Sequence, residues 1–218
     1  MSTNHEPPPT SQPTYASMAL ADLLDAFASN EPVPGGGSAA ALAGAVGASL
    51  LVMVAGISTT RTGAPEETAD LAEASARLRP LREKLASLVQ QDSDAYTAVM
   101  TAMRLPKQAE ADKRARRDAI DAAMRQATEI PLETMRCCQQ ALRGALVVAA
   151  GGSRNAASDI GMGVELLLAA LRGAAMNVDV NVRSLSDGAF VDRVRAERDE
   201  LDAEAASDAA RAKDLLRD

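Results

Sequence analysis

LAEASARLRPLREKLASLVQQDSDAYTAVMTAM, residues 71–103, places apolar side chains at steps of three and four: Leu71, Ala74, Leu78, Leu81, Leu85, Leu88, then Tyr96, Val99 and Met103. That spacing is the core-facing stripe of one long helix. A single position departs from it, because Asp92 stands where the stripe calls for leucine. Asp94 lies about 200° away around the axis, at roughly 100° per residue, so the period selects Asp92 as the carboxylate turned inward. A buried carboxylate without a partner loses solvation, its pKa rises, and it becomes able to carry protons near neutral pH. An aspartate satisfied by a neighbouring arginine or backbone group fits the same pattern, and periodicity leaves both readings open.

Working outward, the chain has 218 residues, 47% of them hydrophobic, yet only two Phe, two Tyr and no Trp. Ala, Leu, Val and Met must fill the core, which favours closely packed helices over a sheet of aromatic and β-branched residues. A formal charge of −7 argues against a nucleic-acid partner. The basic cluster Lys113, Arg114, Arg116, Arg117 is interleaved with Asp112 and Asp118 and reads as a solvated helix face. The only histidine, His5, lies in a tail containing Pro7, Pro8, Pro9 and Pro13, so neither histidine catalysis nor a histidine-ligated metal is expected. Cys137 and Cys138 are adjacent, a geometry that strains a mutual disulfide, and read as reduced structural thiols of a cytoplasmic protein. No secretory signal pattern opens the chain. The apolar run Ala39 to Ile57 approaches membrane-span length, but its Ala and Gly content predicts a buried helix of a soluble protein and no membrane partner.

Residues 1–15 read as a Pro- and Ser-rich disordered leader, and 16–218 as a single helical domain. Ser17 is placed to cap a short helix whose Leu20, Leu23, Leu24 and Phe27 share a face. Glu31 to Gly37 breaks it, and Ser38 is the expected N-cap of an Ala/Gly helix reaching about Ile57. The helix of the opening stripe runs over about 66–104, with Pro80 as a kink, and Leu105-Pro106-Lys107 ends it. A charged helix covers about 109–129. Pro131 either kinks it or opens a new helix to about 149. After the turn Gly151-Gly152-Ser153, a helix spans about 155–184, and Asp187 caps a final one over 188–216. Six or seven helices and no strand make the fold class all-α, a single-domain bundle.

Two segments carry binding chemistry. Gly35, Gly36 and Gly37 leading into Ser38 expose backbone N–H groups at the positive end of a helix dipole, which suits an anion; a flexible connector would look the same. The spacing is not that of a P-loop. In the helix from 155, Asn155, Asp159, Gly163, Ala170, Gly173, Asn177 and Asn181 share one face. Asp159 and Asn177 would lie about 27 Å apart at ~1.5 Å per residue. Serving one site would require two such helices to pair antiparallel in a dimer; helix–helix hydrogen bonds are the plainer use.

Pro34-Gly35-Gly36-Gly37-Ser38, Asp92-Ser93-Asp94-Ala95-Tyr96, Leu105-Pro106-Lys107, Ile130-Pro131-Leu132, Asn155-Ala156-Ala157-Ser158-Asp159 and Asn177-Val178-Asp179-Val180-Asn181 follow one another in order. From about residue 17 to 192 the chain thereby resembles the cyclodeaminase/cyclohydrolase family. The resemblance implies a homodimeric or larger all-helical enzyme acting on the one-carbon unit between N5 and N10 of tetrahydrofolate. Its reaction would be methenyltetrahydrofolate cyclohydrolysis or formiminotetrahydrofolate cyclodeamination, with no metal or cofactor. The family's catalytic aspartate falls on Asp92. Asp159 is a candidate for stabilising the cationic one-carbon bridge. Lys107, Arg61 and the glycine-rich helix start are candidates for the substrate's carboxylates, and Asn155, Ser158, Asn177 and Asn181 for the pteridine edge. The chain departs from the family at Thr59-Thr60-Arg61-Thr62-Gly63, where a Gly-Lys/Arg-rich segment is usual, and at Gly152-Ser153-Arg154, where Gly-Asn is. A rival of another class is a non-catalytic helical dimerisation or folate-binding module, for which replacing Asp92 by leucine would be stabilising.

Overall fold

The computed structural model describes residues 14–217. The stretch 1–13, which holds His5 and nearly all of the expected leader, lies outside the described residues. Six helices follow in order: α1 (Leu20–Ala28), α2 (Gly36–Ala55), α3 (Pro65–Met103), α4 (Glu110–Gly151), α5 (Ala157–Asn181) and α6 (Gly188–Leu215). Short 3-10 turns occupy Tyr15–Ser17, Arg154–Ala156 and Val182–Ser184, and there is no strand among the described residues.

The two prolines resolve the helix count. Pro80 sits on the exposed face of α3 and Pro131 is buried within α4, and each helix runs on through its proline. Pro131 therefore opens no new helix, and six α-helices stand among the described residues. The expected caps divide. The Asp187 carboxylate accepts the Phe190 N–H at 3.2 Å and caps α6. Ser17 does not cap α1: that helix begins at Leu20 behind Ala19, while the Ser17 hydroxyl turns back to the Thr14 carbonyl. On α1 only Leu23 is buried, so the apolar face expected to pack stays largely open.

α2 is the centre of the bundle, packed between α3 and α5 and touching α4, with α6 laid over α4 and α5. Its length and composition suffice to cross a membrane, but here it is a core helix. Its small residues permit the packing. A Cβ on Gly47 would stand 2.8 Å from the Gly163 carbonyl oxygen of α5, and one on Gly44 would meet the Cys138 sulfur of α4 at 2.9 Å. Around it Leu51, Leu85, Leu88, Leu132, Met135, Leu142, Leu167 and Leu171 are fully buried, so leucine and methionine fill the volume that aromatic residues would otherwise take. Arg136 of α4 holds α6 by donating to Glu197 at 2.6 and 2.9 Å and also pairs with Glu133 and Glu129. Cys137 and Cys138 are free and buried in α4. Burial pushes the Cys137 thiol up to about 12 and raises that of Cys138 as well.

Candidate active site

The stripe of α3 behaves as its period predicts up to Leu88 and then turns towards a cleft. Asp92, Tyr96, Val99, Met100 and Met103 line it, facing Met124 and Ala127 of α4, Asn177 and Asn181 of α5, the first turn of α2, and Pro32 and Val33 before it. The cavity is about 330 Å³. Asp94 lies on the exposed side of α3 and accepts the Gln90 amide, as its angular offset requires.

Asp92 meets the N-terminus of α2. That helix starts at Gly36, behind Gly35, which makes Ser38 a residue of the first turn and not the N-cap expected from the sequence. The Ser38 hydroxyl is 3.0 Å from Asp92 Oδ2 and 2.9 Å from the Val89 carbonyl, and the Ser38 backbone N–H also donates to the carboxylate. The anion at this helix start is thus the protein's own side chain, a favourable site for negative charge. Gly37 must be glycine here, because a Cβ on it would lie 2.2 Å from Asp92 Oδ1, whereas Gly35 and Gly36 have room for one. Burial pushes the Asp92 carboxyl above the ordinary carboxylate range, while the hydrogen bonds from Ser38 pull the other way. Among the described residues, no lysine, arginine or second carboxylate lines the cleft. Of the two readings open at Asp92, the partner is a hydroxyl and a backbone amide, and no arginine neutralises the charge.

Asn177 and Asn181 flank this group. Asn177 Nδ2 donates back to the Gly173 carbonyl at 2.9 Å, and Asn181 Nδ2 donates across to Ala127 of α4 at 2.7 Å, which fixes both amides at the cleft wall. The structure therefore brings together Asp92, Gly35, Gly36, Gly37, Ser38, Asn177 and Asn181. It leaves the other candidates elsewhere in this protomer. Arg61 gives its Nη1 to the carbonyls of Ala149 and Leu215, at 2.8 and 3.0 Å, where α4 and α6 end. Asn155 and Ser158 are exposed and Asp159 half-buried at the start of α5, the end opposite Asn177, because that helix is continuous from Ala157 to Asn181. Lys107 is exposed in the α3–α4 connection, in a depression shared with Glu110, Lys113, Arg116 and Arg117. Arg116 ties that depression to the cleft by donating to the carbonyl of Met103.

Helical period alone does not mark the apolar wall as part of a site. Tyr96, Val99 and Met103 read as core in the sequence, yet Tyr96 is 39% exposed and faces the cleft. The available signal was its place one turn after Asp92 on the same face. Such a wall suits a flat aromatic ligand, and a raised carboxylate beside it suits proton transfer.

Residues 19–200 match the family model described as formiminotransferase-cyclodeaminase. The methenyltetrahydrofolate cyclohydrolase of Methylorubrum extorquens is 40% identical over 183 residues, 84% of this chain and 88% of that protein. The formimidoyltransferase-cyclodeaminase of Sus scrofa is 33% identical over 86% of this chain, which spans only 35% of that longer protein. In fold, the chain matches the crystal structure of formiminotetrahydrofolate cyclodeaminase from Thermotoga maritima with a TM-score of 0.82 at 24% identity, over 92% of this chain and 96% of that one.

Proposed function

The chain belongs to the formiminotransferase-cyclodeaminase family, and from that premise we propose that it is a folate one-carbon enzyme that hydrolyses the methenyl bridge of 5,10-methenyltetrahydrofolate, with Asp92 as general base and acid. The observation that carries the chemistry is the Asp92 carboxylate, raised by burial and held by Ser38 in a cleft with no neutralising cation. The choice of hydrolysis follows the Methylorubrum extorquens relative, which this chain matches over nearly its whole length.

In this mechanism water attacks the cationic methenyl carbon while Asp92 takes one of its protons. The carbon–N5 bond of the resulting carbinolamine then breaks, Asp92 gives a proton to N5, and the second water proton leaves as the formyl carbonyl forms. A carboxylate whose pKa lies between those of its two partners can serve both steps. Tyr96 and the cleft methionines offer a surface for the pteridine and aminobenzoyl rings, Asn177 and Asn181 offer amides to the pteridine edge, and Lys107 in its basic depression offers charge to the substrate's carboxylates. The reaction draws on water and a carboxylate and calls for no metal or redox cofactor. Two buried free thiols fit a reducing cytoplasm.

The working unit in this reading is a homodimer. α2 turns Ala39, Leu42, Ala43, Val46, Leu50 and Met53 outward, and α5 beside it turns out Met162, Leu166, Ala169, Met176 and Val180. These two apolar stripes at helical spacing suit a second copy. Antiparallel pairing of α5 with its copy would carry Asp159 of the partner subunit towards the Asn181 end of the cleft, where it could stabilise the cation.

Cyclodeamination is the second reading, favoured by the family match and the Sus scrofa relative. There N10 of 5-formiminotetrahydrofolate attacks the formimino carbon, Asp92 takes the N10 proton, and the same group protonates the departing ammonia. Absorbance of 5,10-methenyltetrahydrofolate separates the two. Its loss above the spontaneous rate supports hydrolysis. Its gain from 5-formiminotetrahydrofolate, with ammonia released, supports cyclodeamination. Neither change, from folded protein, refutes both.

A further inference from the structure

The Ser93 hydroxyl behind Ser38 and Asp92 is not used by the mechanism above. Ser38 Oγ is fully buried and sits 2.9 Å from the Val89 carbonyl, 3.0 Å from Asp92 Oδ2 and 3.1 Å from the buried Ser93 Oγ. Its one proton cannot serve the carbonyl and the carboxylate at once. A serine inside a helix ordinarily returns its proton to the carbonyl four residues back. For Ser93 that carbonyl is Val89, whose second lone pair Ser38 already faces from α2. The Ser93 hydroxyl makes its contact with Ser38 Oγ at 3.1 Å, which makes that oxygen the acceptor for the Ser93 proton.

We propose that Ser93 is a positioning residue: its hydroxyl donates to Ser38 Oγ and leaves the Ser38 proton free to alternate between Asp92 Oδ2 and the Val89 carbonyl. When Asp92 is ionised, the Ser38 proton points to Oδ2, and donation from Ser93 polarises and strengthens that bond. When Asp92 is protonated on Oδ2, the acid donates to the second lone pair of Ser38 Oγ, and the Ser38 proton swings to Val89. No heavy atom moves, every polar atom stays paired, and the carboxylate can load and release a proton within one rigid frame. Among the described residues lining the cleft, Tyr96 on α3 is the only other titratable one. α2, α4 and α5 contribute Gly36 and Gly37, Met124 and Ala127, and Asn177 and Asn181, none of which titrates.

The inference rests on Asp92 as the proton carrier but not on which folate is turned over, so its test has a readout that needs no substrate. Protein labelled with carboxyl-13C aspartate is titrated by NMR, with the Asp92 resonance assigned by its disappearance in Asp92→Asn. In Ser93→Ala the ionised form loses support, so Asp92 titrates at higher pH than in the wild type. On the acid limb of the kcat profile the variant falls about three- to tenfold, with the alkaline plateau and KM unchanged, and Ser93→Thr restores the wild-type profile. Should Ser93→Ala not fold, Ser93→Cys, a much weaker donor, must shift the titration the same way. A folded variant whose Asp92 titrates as in the wild type, or whose kcat falls equally at all pH values, overturns the proposal. If the wild type turns over neither folate while the NMR shift is present, the assigned reaction fails and the positioning role stands.

Discussion

Asp92 and Gly37 are coupled by 2.2 Å: that distance separates Asp92 Oδ1 from where a Cβ on Gly37 would sit. Gly37→Ala must push the carboxylate aside, and a displacement of about 1 Å costs on the order of a hundredfold in kcat/KM. Gly35→Ala, whose Cβ meets only the Pro32 carbonyl at 3.5 Å, should stay within a few-fold, so steady-state kinetics on the pair reads the contact. The raised pKa of Asp92 also makes a stability prediction. The folded state holds this proton more tightly than the unfolded chain does, so the stabilisation is complete below the ordinary Asp pKa near 3.9 and is lost as pH rises through the higher folded value. Asp92→Asn, which carries no charge to bury, should therefore melt above the wild type at neutral and alkaline pH and converge with it in acid. Thermal melts across pH check this. Asp92 was legible because a single acid interrupts an apolar stripe. Tyr96 and Met103 were not, because a residue that walls a cleft follows the same helical period as one that fills a core.

The elements show where periodicity suffices and where it does not. All six helices follow from apolar spacing and from the breaks at Glu31 to Gly37, Leu105 to Lys107 and Gly151 to Ser153. Whether Pro131 ends a helix is decided by packing: Pro131 is itself buried, and Leu132, Met135 and Cys138 directly after it sit in the core, which outweighs one lost backbone hydrogen bond. The role of Ser38 escaped the sequence for another reason. Its local context is that of an N-cap, but the group it binds is 54 residues away. Arg61 likewise reads as a free cation and is committed to the carbonyl ends of two helices distant in sequence. Close approach of α2 and α5 depends on Gly47, where a Cβ would stand 2.8 Å from the Gly163 carbonyl and 3.0 Å from Leu167 Cγ. Gly47→Ala should cost about 1–3 kcal/mol through overpacking, a fall in Tm of roughly 2–4 °C per kcal/mol for a domain of this size. Differential scanning calorimetry measures it.

At the scale of the molecule, the outward stripes of α2 and α5 predict a dimer by light scattering, and Met176→Glu, at a position 68% exposed in the protomer, should shift it to monomer without unfolding. A monomeric wild type at working concentration contradicts that interface. The proposed dimer would also decide whether Asn155, Ser158 and Asp159, which lie far from Asp92 within one chain, share its site. Under the proposed function, one half-buried carboxylate of α3, set against the start of α2, carries the proton of a folate one-carbon reaction. Turnover of 5,10-methenyltetrahydrofolate by Asp92→Asn, measured against the wild type at matched helical content, tests it most directly. The expected result is a loss of about 10²–10⁴-fold in kcat with the fold intact and KM little changed. Full turnover by a folded Asp92→Asn protein would contradict it.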